Sequence, residues 1–211
     1  MAQDRWVSSG RLSEALQRVP LGAVRAADLD GYANAHEVLA DAAAAGRLHR
    51  VARGIYLPVP PREGTDWQPT VEASAAAVGV ATMRTETPLI GMSAARMHGA
   101  LPRAVARAWV AAPRTHRPIA MSSGASVSFV VRRSPLDVQR VPSELGPVLV
   151  TTVEQTILDL MRGVGIHGLD GERDDVVRGL AALTDPADVL RCAAEGRGQR
   201  AAFLRFLEVL A

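Results

Sequence analysis

Residues 46–57 are GRLHRVARGIYL, two β-prone runs separated by the dipeptide Arg53-Gly54. The runs cover Leu48–Val51 and Ile55–Val59, and a glycine between two such runs is typical of a tight β-hairpin. The stretch therefore predicts a short hairpin that presents guanidinium groups to solvent. Its arginines are Arg47, Arg50 and Arg53.

Helical patterns precede this hairpin. Apolar residues at helical spacing predict helices over Gly10–Arg18, with Ser9 as candidate N-cap, over Val24–Leu29 and over Asn34–Ala45. Gly46 is a natural C-terminal stop for the third helix. Helices that lead directly into a hairpin have the order and length of a winged helix-turn-helix, which we expect over residues 1–60.

Four prolines, at positions 58, 60, 61 and 69, predict an extended connector, and we place a linker at residues 61–70. Residues 71–211 then form a larger C-terminal domain with a small β-sheet and several helices, so the predicted fold class is α+β. The predicted strands are Val105–Ala111, Ser126–Val131 and Val148–Thr152. The predicted helices are Val71–Thr82, Ser93–His98, Val153–Arg162, Asp174–Leu183, Pro186–Ala194 and Gln199–Leu210.

The composition indicates a globular protein. Of 211 residues, 48% are apolar and 22% are charged, which excludes a disordered polymer. Apolar stretches end well before about 18 residues and no apolar signal core follows the N-terminus, so we expect a soluble, cytoplasmic protein that does not enter a membrane. The single cysteine, Cys192, cannot form an internal disulfide, and its apolar helical neighbours favour a buried position over a nucleophile.

All 24 basic residues are arginines, because the chain contains no lysine. This excludes a P-loop lysine, a Schiff-base lysine and the lysine of common metal-dependent nucleases. Residues 96–140, the middle arginine cluster, contain eight arginines and one acid, Asp137. Such a density fits either a polyanion-binding surface or a set of solvated side chains. The eight are Arg96, Arg103, Arg107, Arg114, Arg117, Arg132, Arg133 and Arg140.

The third predicted helix, Asn34–Ala45, is the predicted recognition helix, the one that would contact DNA bases. It has no arginine and carries Glu37 and Asp41. Asn34 could bind adenine and Glu37 could accept a hydrogen bond from cytosine. Alternatively, Asn34 caps the helix and the two acids are solvated. Affinity for DNA must then come from flanking arginines. The candidate DNA-binding residues are Asn34, His36, Glu37, Arg47, His49, Arg50, Arg53, Arg96, Arg103, Arg107, Arg114, Arg117, Arg132 and Arg133.

No catalytic, metal or cofactor site is predicted. Ser93 and His98 are five residues apart, which does not place them on one helical face. The acidic segment 170–175 lacks the ligand spacing of a calcium loop and instead favours the start of the next helix. The five histidines are scattered without metal-ligand pairing.

Three phrases together resemble the AbiEi family of type IV antitoxins from abortive-infection systems. They are the hairpin at residues 46–59, GMSAARMHGA at residues 91–100 and VTTVEQTILDL at residues 150–160. The resemblance implies a two-domain, non-enzymatic protein that binds inverted repeats in its own promoter as an autorepressor, with dimeric or cooperative occupancy of the DNA. It also implies a functional partner, a nucleotidyltransferase-like toxin.

Two alternatives remain open. The protein could sequester the toxin directly, with the acidic C-terminal helices as the docking face. It could also be a DNA-processing, nuclease-like enzyme guided by the first domain, although the lack of lysine and of clustered carboxylates argues against this.

Overall fold

The computed structural model describes residue 10 and residues 12–103, 105–132, 135–196 and 199–211. Its N-terminal part contains helix α1 (residues 12–18), helix α2 (Ala35–Ala44) and an antiparallel hairpin of strands β1 (Leu48–Ala52) and β2 (Ile55–Pro58). The predicted hairpin and third helix are therefore confirmed. The candidate N-cap Ser9 lies outside the described residues.

The predicted helix over Val24–Leu29 is wrong. Val24 instead forms a β-bridge with Tyr56 of β2, in which each N–H donates to the other carbonyl, at 2.9 and 3.0 Å. A single 3-10 turn follows, and the Asp28 carboxylate accepts the N–H of Arg25 at 2.8 Å. This contact is one half of a capping box, which favours a helical start, but the chain leaves the helical conformation at Leu29, with φ −99° and ψ 76°, after a single turn.

The rest of the chain is a mixture of helices and short strands, which confirms the predicted α+β class. Helix α4 begins two residues before the predicted start, and strands β4 and β6 were not predicted. The helices are α3 (Val71–Met83), α4 (Gly91–Met97), α5 (Val153–Met161), α6 (Arg173–Ala181), α7 (Pro186–Glu195) and α8 (Arg200–Leu210). The strands are β3 (Arg107–Ala112), β4 (Ile119–Ala120), β5 (Ser126–Val131), β6 (Val138–Val141) and β7 (Val148–Thr151).

The central strand β3 is buried on both faces. It runs parallel to β5, while β4 pairs antiparallel to β5 and β6 pairs antiparallel to β7. Leu89 links the two groups, because it bridges both Val110 of β3 and Val150 of β7. Since successive strand residues point to opposite faces, Val110 packs with α3 and Trp109 packs with the helices that follow the sheet.

The hairpin shares a hydrophobic core with the larger part of the chain. Val51, Ile55 and Leu57 are buried in one cluster with α3 and the sheet. The segment predicted as a linker also touches the hairpin, because the ring of Trp67 lies edge-on to the ring of His49 with centroids 6.0 Å apart. The boundary at residues 61–70 stays a prediction, but the hairpin is packed against the rest of the described chain.

Candidate nucleic-acid interface

Helix α2 exposes the side chains that the sequence predicts to face DNA. Asn34, His36 and Glu37 are exposed, whereas Leu39 and Ala42 are fully buried in the cluster that joins α1, α2 and β1. Asn34 occupies the N-cap position, but its side chain accepts no capping hydrogen bond. Its amide is therefore not used by the helix and remains open to solvent.

The exposed face of α2 is acidic. Glu37 and Asp41 are one turn apart and exposed, and neither forms an ion pair with a described residue. Two carboxylates on neighbouring turns repel phosphate groups. This helix can contact base edges but cannot supply charge-based affinity for a polyanion.

The arginines of the hairpin are on the surface beside α2. Arg47, Arg50 and Arg53 are exposed, and none of them forms an ion pair within the described chain. Arg50 is the register partner of Tyr56, which packs against the cluster of α1 and α2. Because paired residues of an antiparallel ladder share one face, Arg50 lies on the same side of the hairpin as α2.

His49 lies on the opposite face of the hairpin. It is half-buried between Trp67 and the turn that contains Ser122, whose Oγ is 3.4 Å from His49 Nε2. Burial lowers the pKa of this imidazole below its ordinary value of 6.5. Burial thus disfavours the charged form of the ring, and its packed position fits a structural role better than phosphate binding.

The hairpin is held on both edges by the rest of the chain. Val24 pairs with β2, and Ala52 of β1 bridges Met121 in the turn that precedes β5. The backbone N–H of Ser122 also donates to the carbonyl of Val51 at 2.9 Å. These contacts hold the backbone of the hairpin that carries Arg47, Arg50 and Arg53.

Two members of the middle arginine cluster are used inside the protein. Arg96 Nε lies 2.7 Å from a carboxylate oxygen of Glu72, whose side chain is 2% exposed. Arg132 Nη2 lies 2.9 Å from Asp159 Oδ1, and Asp159 is completely buried. Both guanidinium groups neutralise buried acids, so neither is free to bind phosphate.

Two further members form ion pairs on the surface. Arg103 pairs with Glu172, and the hydrogen bond from Arg103 lowers the pKa of that carboxyl. Arg140 Nη2 lies 2.6 Å from Glu86 Oε1, and both side chains are more than half exposed. The positive charge of these residues is compensated locally.

Three members of the cluster remain exposed without an ion pair to a described residue. These are Arg107, Arg114 and Arg117. Arg107 begins β3 opposite Ser126, next to the turn that contacts the hairpin. Arg114 lies beyond the other end of β3. At the rise per residue of a strand, it is about 17 Å or more from Arg107. Arg133 lies outside the described residues.

Ser93 and His98 have structural partners. The Ser93 hydroxyl is buried and accepts the backbone N–H of Trp109 at 2.9 Å. His98 Nε2 lies 2.7 Å from the carbonyl oxygen of Thr151. The two side chains therefore tie α4 to two different strands, as expected for packed rather than catalytic residues.

The described residues contain no group of histidine, cysteine and carboxylate side chains that could hold a metal ion. Cys192 is buried, as predicted, and burial raises the pKa of its thiol to about 12. Within the part of the chain that the structure describes, no helix has the length and apolarity needed to cross a membrane.

The turn at residues 121–125 was missed as a neighbour of the hairpin. Ser122 and Ser123 are exposed there, directly beside the hairpin. The local sequence Ser122-Ser123-Gly124 indicates a turn, but no local signal connects it to a strand about 70 residues earlier in the chain.

A comparison with protein families identifies the C-terminal part of the chain. Residues 88–208, more than half of the chain, match the model of the AbiEi antitoxin C-terminal domain. The match covers α4, the sheet and the C-terminal helices, and includes two of the three phrases on which the resemblance was based. No curated protein matches the chain significantly. The chain belongs to the AbiEi antitoxin family.

Proposed function

We propose that this antitoxin is a sequence-specific, non-enzymatic DNA-binding protein that represses its own operon. In this proposal residues 1–60 act as a winged helix-turn-helix, with α2 as recognition helix and the β1–β2 hairpin as wing. Two copies occupy inverted repeats in the promoter, inside the cytoplasm, and the protein counteracts a nucleotidyltransferase-like toxin.

One observation carries the DNA-binding part of the proposal. Arg50 shares a face with α2, and Arg47 and Arg53 flank it on the same hairpin without acidic partners among the described residues. Free guanidinium groups beside an exposed helix are suited to phosphate contacts on either side of a groove.

Because the exposed face of α2 is acidic, the residues of α2 and the hairpin arginines have different roles in this proposal. Phosphate contacts by the arginines supply affinity that does not depend on sequence. Asn34 and Glu37 can select bases, and each well-formed base contact contributes about 1–3 kcal/mol of discrimination. Glu37 also disfavours phosphate approach, so binding is expected to be weak on DNA that lacks the correct bases.

The larger part of the chain contributes a second set of phosphate contacts. Arg107, Arg114 and Arg117 are the members of the middle cluster that are available for this role. Arg107 is placed to extend the contact surface of the hairpin, because it lies beside the turn that pairs with β1. We leave Arg96 and Arg132 out of the interface, since each neutralises a buried carboxylate.

The experiment is a binding titration of the full chain on the upstream region of its operon, at two salt concentrations. A triple substitution, Arg47→Ala, Arg50→Ala and Arg53→Ala, is expected to weaken binding and to reduce the slope of log K against log salt by about one unit per lost contact. A control of equal charge change replaces three exposed arginines of the C-terminal helical region, Arg162, Arg178 and Arg191, of which Arg178 and Arg191 form surface ion pairs with Asp175 and Asp188. Equal losses in the two variants, or binding indifferent to sequence, would contradict the proposal.

Toxin counteraction has its own test. Co-expression with the toxin encoded beside the antitoxin should restore growth, and the same experiment with the triple hairpin variant separates repression from neutralisation. A stable complex on co-purification would favour the alternative in which the protein sequesters the toxin directly.

A further inference from the structure

Helix α8 carries a short row of exposed leucines, Leu204 and Leu207, that the described part of the chain does not cover. They are 55% and 41% exposed, whereas Phe203 and Phe206 on the inner side of the helix are buried; Leu210, which is 43% exposed, follows Phe206 by four residues and lies on that inner side at the helix end. The inner side packs against α5, α6 and α7. The outer side is therefore an apolar face on an otherwise anchored helix.

Charged residues border this row at defined positions. Arg200, Leu204 and Glu208 follow one another at four-residue spacing, so they lie along one line on the helix surface. Arg200 and Glu208 are about 12 Å apart along the axis, too far to pair with each other. Both are exposed, and neither forms an ion pair with another described residue.

We propose that a second copy of this chain docks on the outer face of α8, with the two α8 helices antiparallel and crossing at Leu204. In this arrangement Leu204 packs against Leu204 of the second copy. Arg200 of each copy faces Glu208 of the other.

Charge complementarity selects this occupant and this orientation. Antiparallel packing about Leu204 forms the Arg200–Glu208 contact twice, as a two-fold symmetric interface requires. A parallel arrangement would instead place Arg200 against Arg200 and Glu208 against Glu208. The antiparallel orientation also opposes the dipoles of the two helices.

The size of the face predicts a weak dimer. A single pair of short helices buries less than the roughly 800 Å² per partner that a stable complex uses. If the proposed function holds, two copies on adjacent inverted repeats experience an effective concentration in the range of about millimolar, and the contact then produces cooperative binding.

A charge-reversal series tests the contact without DNA. Sedimentation of the full chain, at protein concentrations approaching the millimolar range where a weak dimer is populated, is compared for wild type, Arg200→Glu, Glu208→Arg and the double variant. Each single reversal places like charges together twice and should weaken self-association about tenfold, whereas the double variant restores both contacts. Equal behaviour of all four proteins, with helix content intact by circular dichroism, would overturn the proposal.

Oxidative crosslinking provides a second readout. Leu204→Cys should form a disulfide-linked dimer, because the crossing point brings the two Cα atoms within bonding reach. Leu190→Cys is the matched control, since Leu190 is 49% exposed on α7 but outside the proposed crossing. Native Cys192 is buried and should contribute no crosslink. Crosslinking of the control at the same rate would contradict the geometry, and both experiments stay informative if operator binding fails.

Discussion

Arg132 extends from the end of β5 to Asp159 on α5, and its Nη2 lies 2.9 Å from Asp159 Oδ1 with both side chains shielded from solvent. The second oxygen of Asp159 has no hydrogen-bond partner among the described residues, although Gln155 Nε2 also donates to Oδ1 at 3.1 Å. This ion pair joins the sheet to the helix around which the C-terminal helices pack. It also shows why a count of arginines overstates the positive charge that is available to a ligand.

Removal of Arg132 should destabilise the protein strongly. Arg132→Ala leaves a buried carboxylate without its cation, and breaking one partner of a buried pair costs about 3–5 kcal/mol in free energy of unfolding. The measurement is urea unfolding followed by circular dichroism. Arg140→Ala is the control, because its pair with Glu86 is exposed and contributes no more than about 1 kcal/mol. Similar losses in the two variants would contradict a structural role for Arg132.

The pH dependence of the free energy of unfolding should show the raised pKa of the Asp159 carboxyl group. Burial raises the pKa of its carboxyl above the ordinary value of 3.8, and the opposing effect of Arg132 does not cancel this. A carboxyl group whose pKa is raised in the folded protein contributes its full stabilisation at pH values below its pKa in the unfolded chain. This stabilisation is lost as pH rises through its pKa in the folded protein. The free energy of unfolding of the wild type, relative to that of Asp159→Asn, should therefore fall as pH rises from about 3.8 through the pKa of Asp159 in the folded protein.

Unfolding of both proteins across this pH range checks the sign. Other carboxyl groups contribute equally to the two proteins, so the difference between them isolates Asp159. A difference that is flat, or that grows in the opposite direction, would show that Asp159 does not have a raised pKa in the folded protein.

Local signals in the sequence were sufficient for the elements that depend on local chemistry. The glycine of the hairpin has a φ of +73°, as a tight turn requires, and most helices end within a few residues of their predicted bounds. The predicted helix over Val24–Leu29 was wrong because Val24 pairs with Tyr56, which the hairpin supplies later in the chain. Strand β6 was missed because its residues are mostly exposed and lack an alternating apolar pattern.

In the candidate site too, the features that depend on local sequence were predicted and those that depend on distant partners were not. Exposure of α2 and of the hairpin arginines followed from helical periodicity and turn chemistry. The fate of the middle arginine cluster did not, because Glu72 and Asp159 lie outside residues 96–140 and meet their arginines only in the folded chain. A net charge counted over a window cannot include partners that tertiary structure brings from elsewhere.

The shared core predicts that the hairpin and the larger part unfold together. Trp67 reports on the hairpin through its contact with His49, and Trp109 is buried with the C-terminal helices. In a variant that keeps Trp67 alone, with Trp6→Phe and Trp109→Phe, the fluorescence transition in urea should coincide with the circular dichroism transition of the same protein. An earlier transition for Trp67 would show that residues 1–60 unfold as a separate domain.

Gly91 is expected to be irreplaceable where helix α4 begins. Its φ is +56°, and an added Cβ would lie 2.6 Å from the carbonyl oxygens of Val164 and Gly165. Gly91→Ala should cost about 1–2 kcal/mol for the left-handed backbone and about 1–3 kcal/mol more for overlap with the facing backbone. Gly99→Ala is the matched control, since Gly99 has a φ of +80° but open space around its Cα. Because both changes carry the backbone cost, the difference in urea midpoints between the two variants measures the contact with Val164 and Gly165, and equal midpoints would show that the contact is absent.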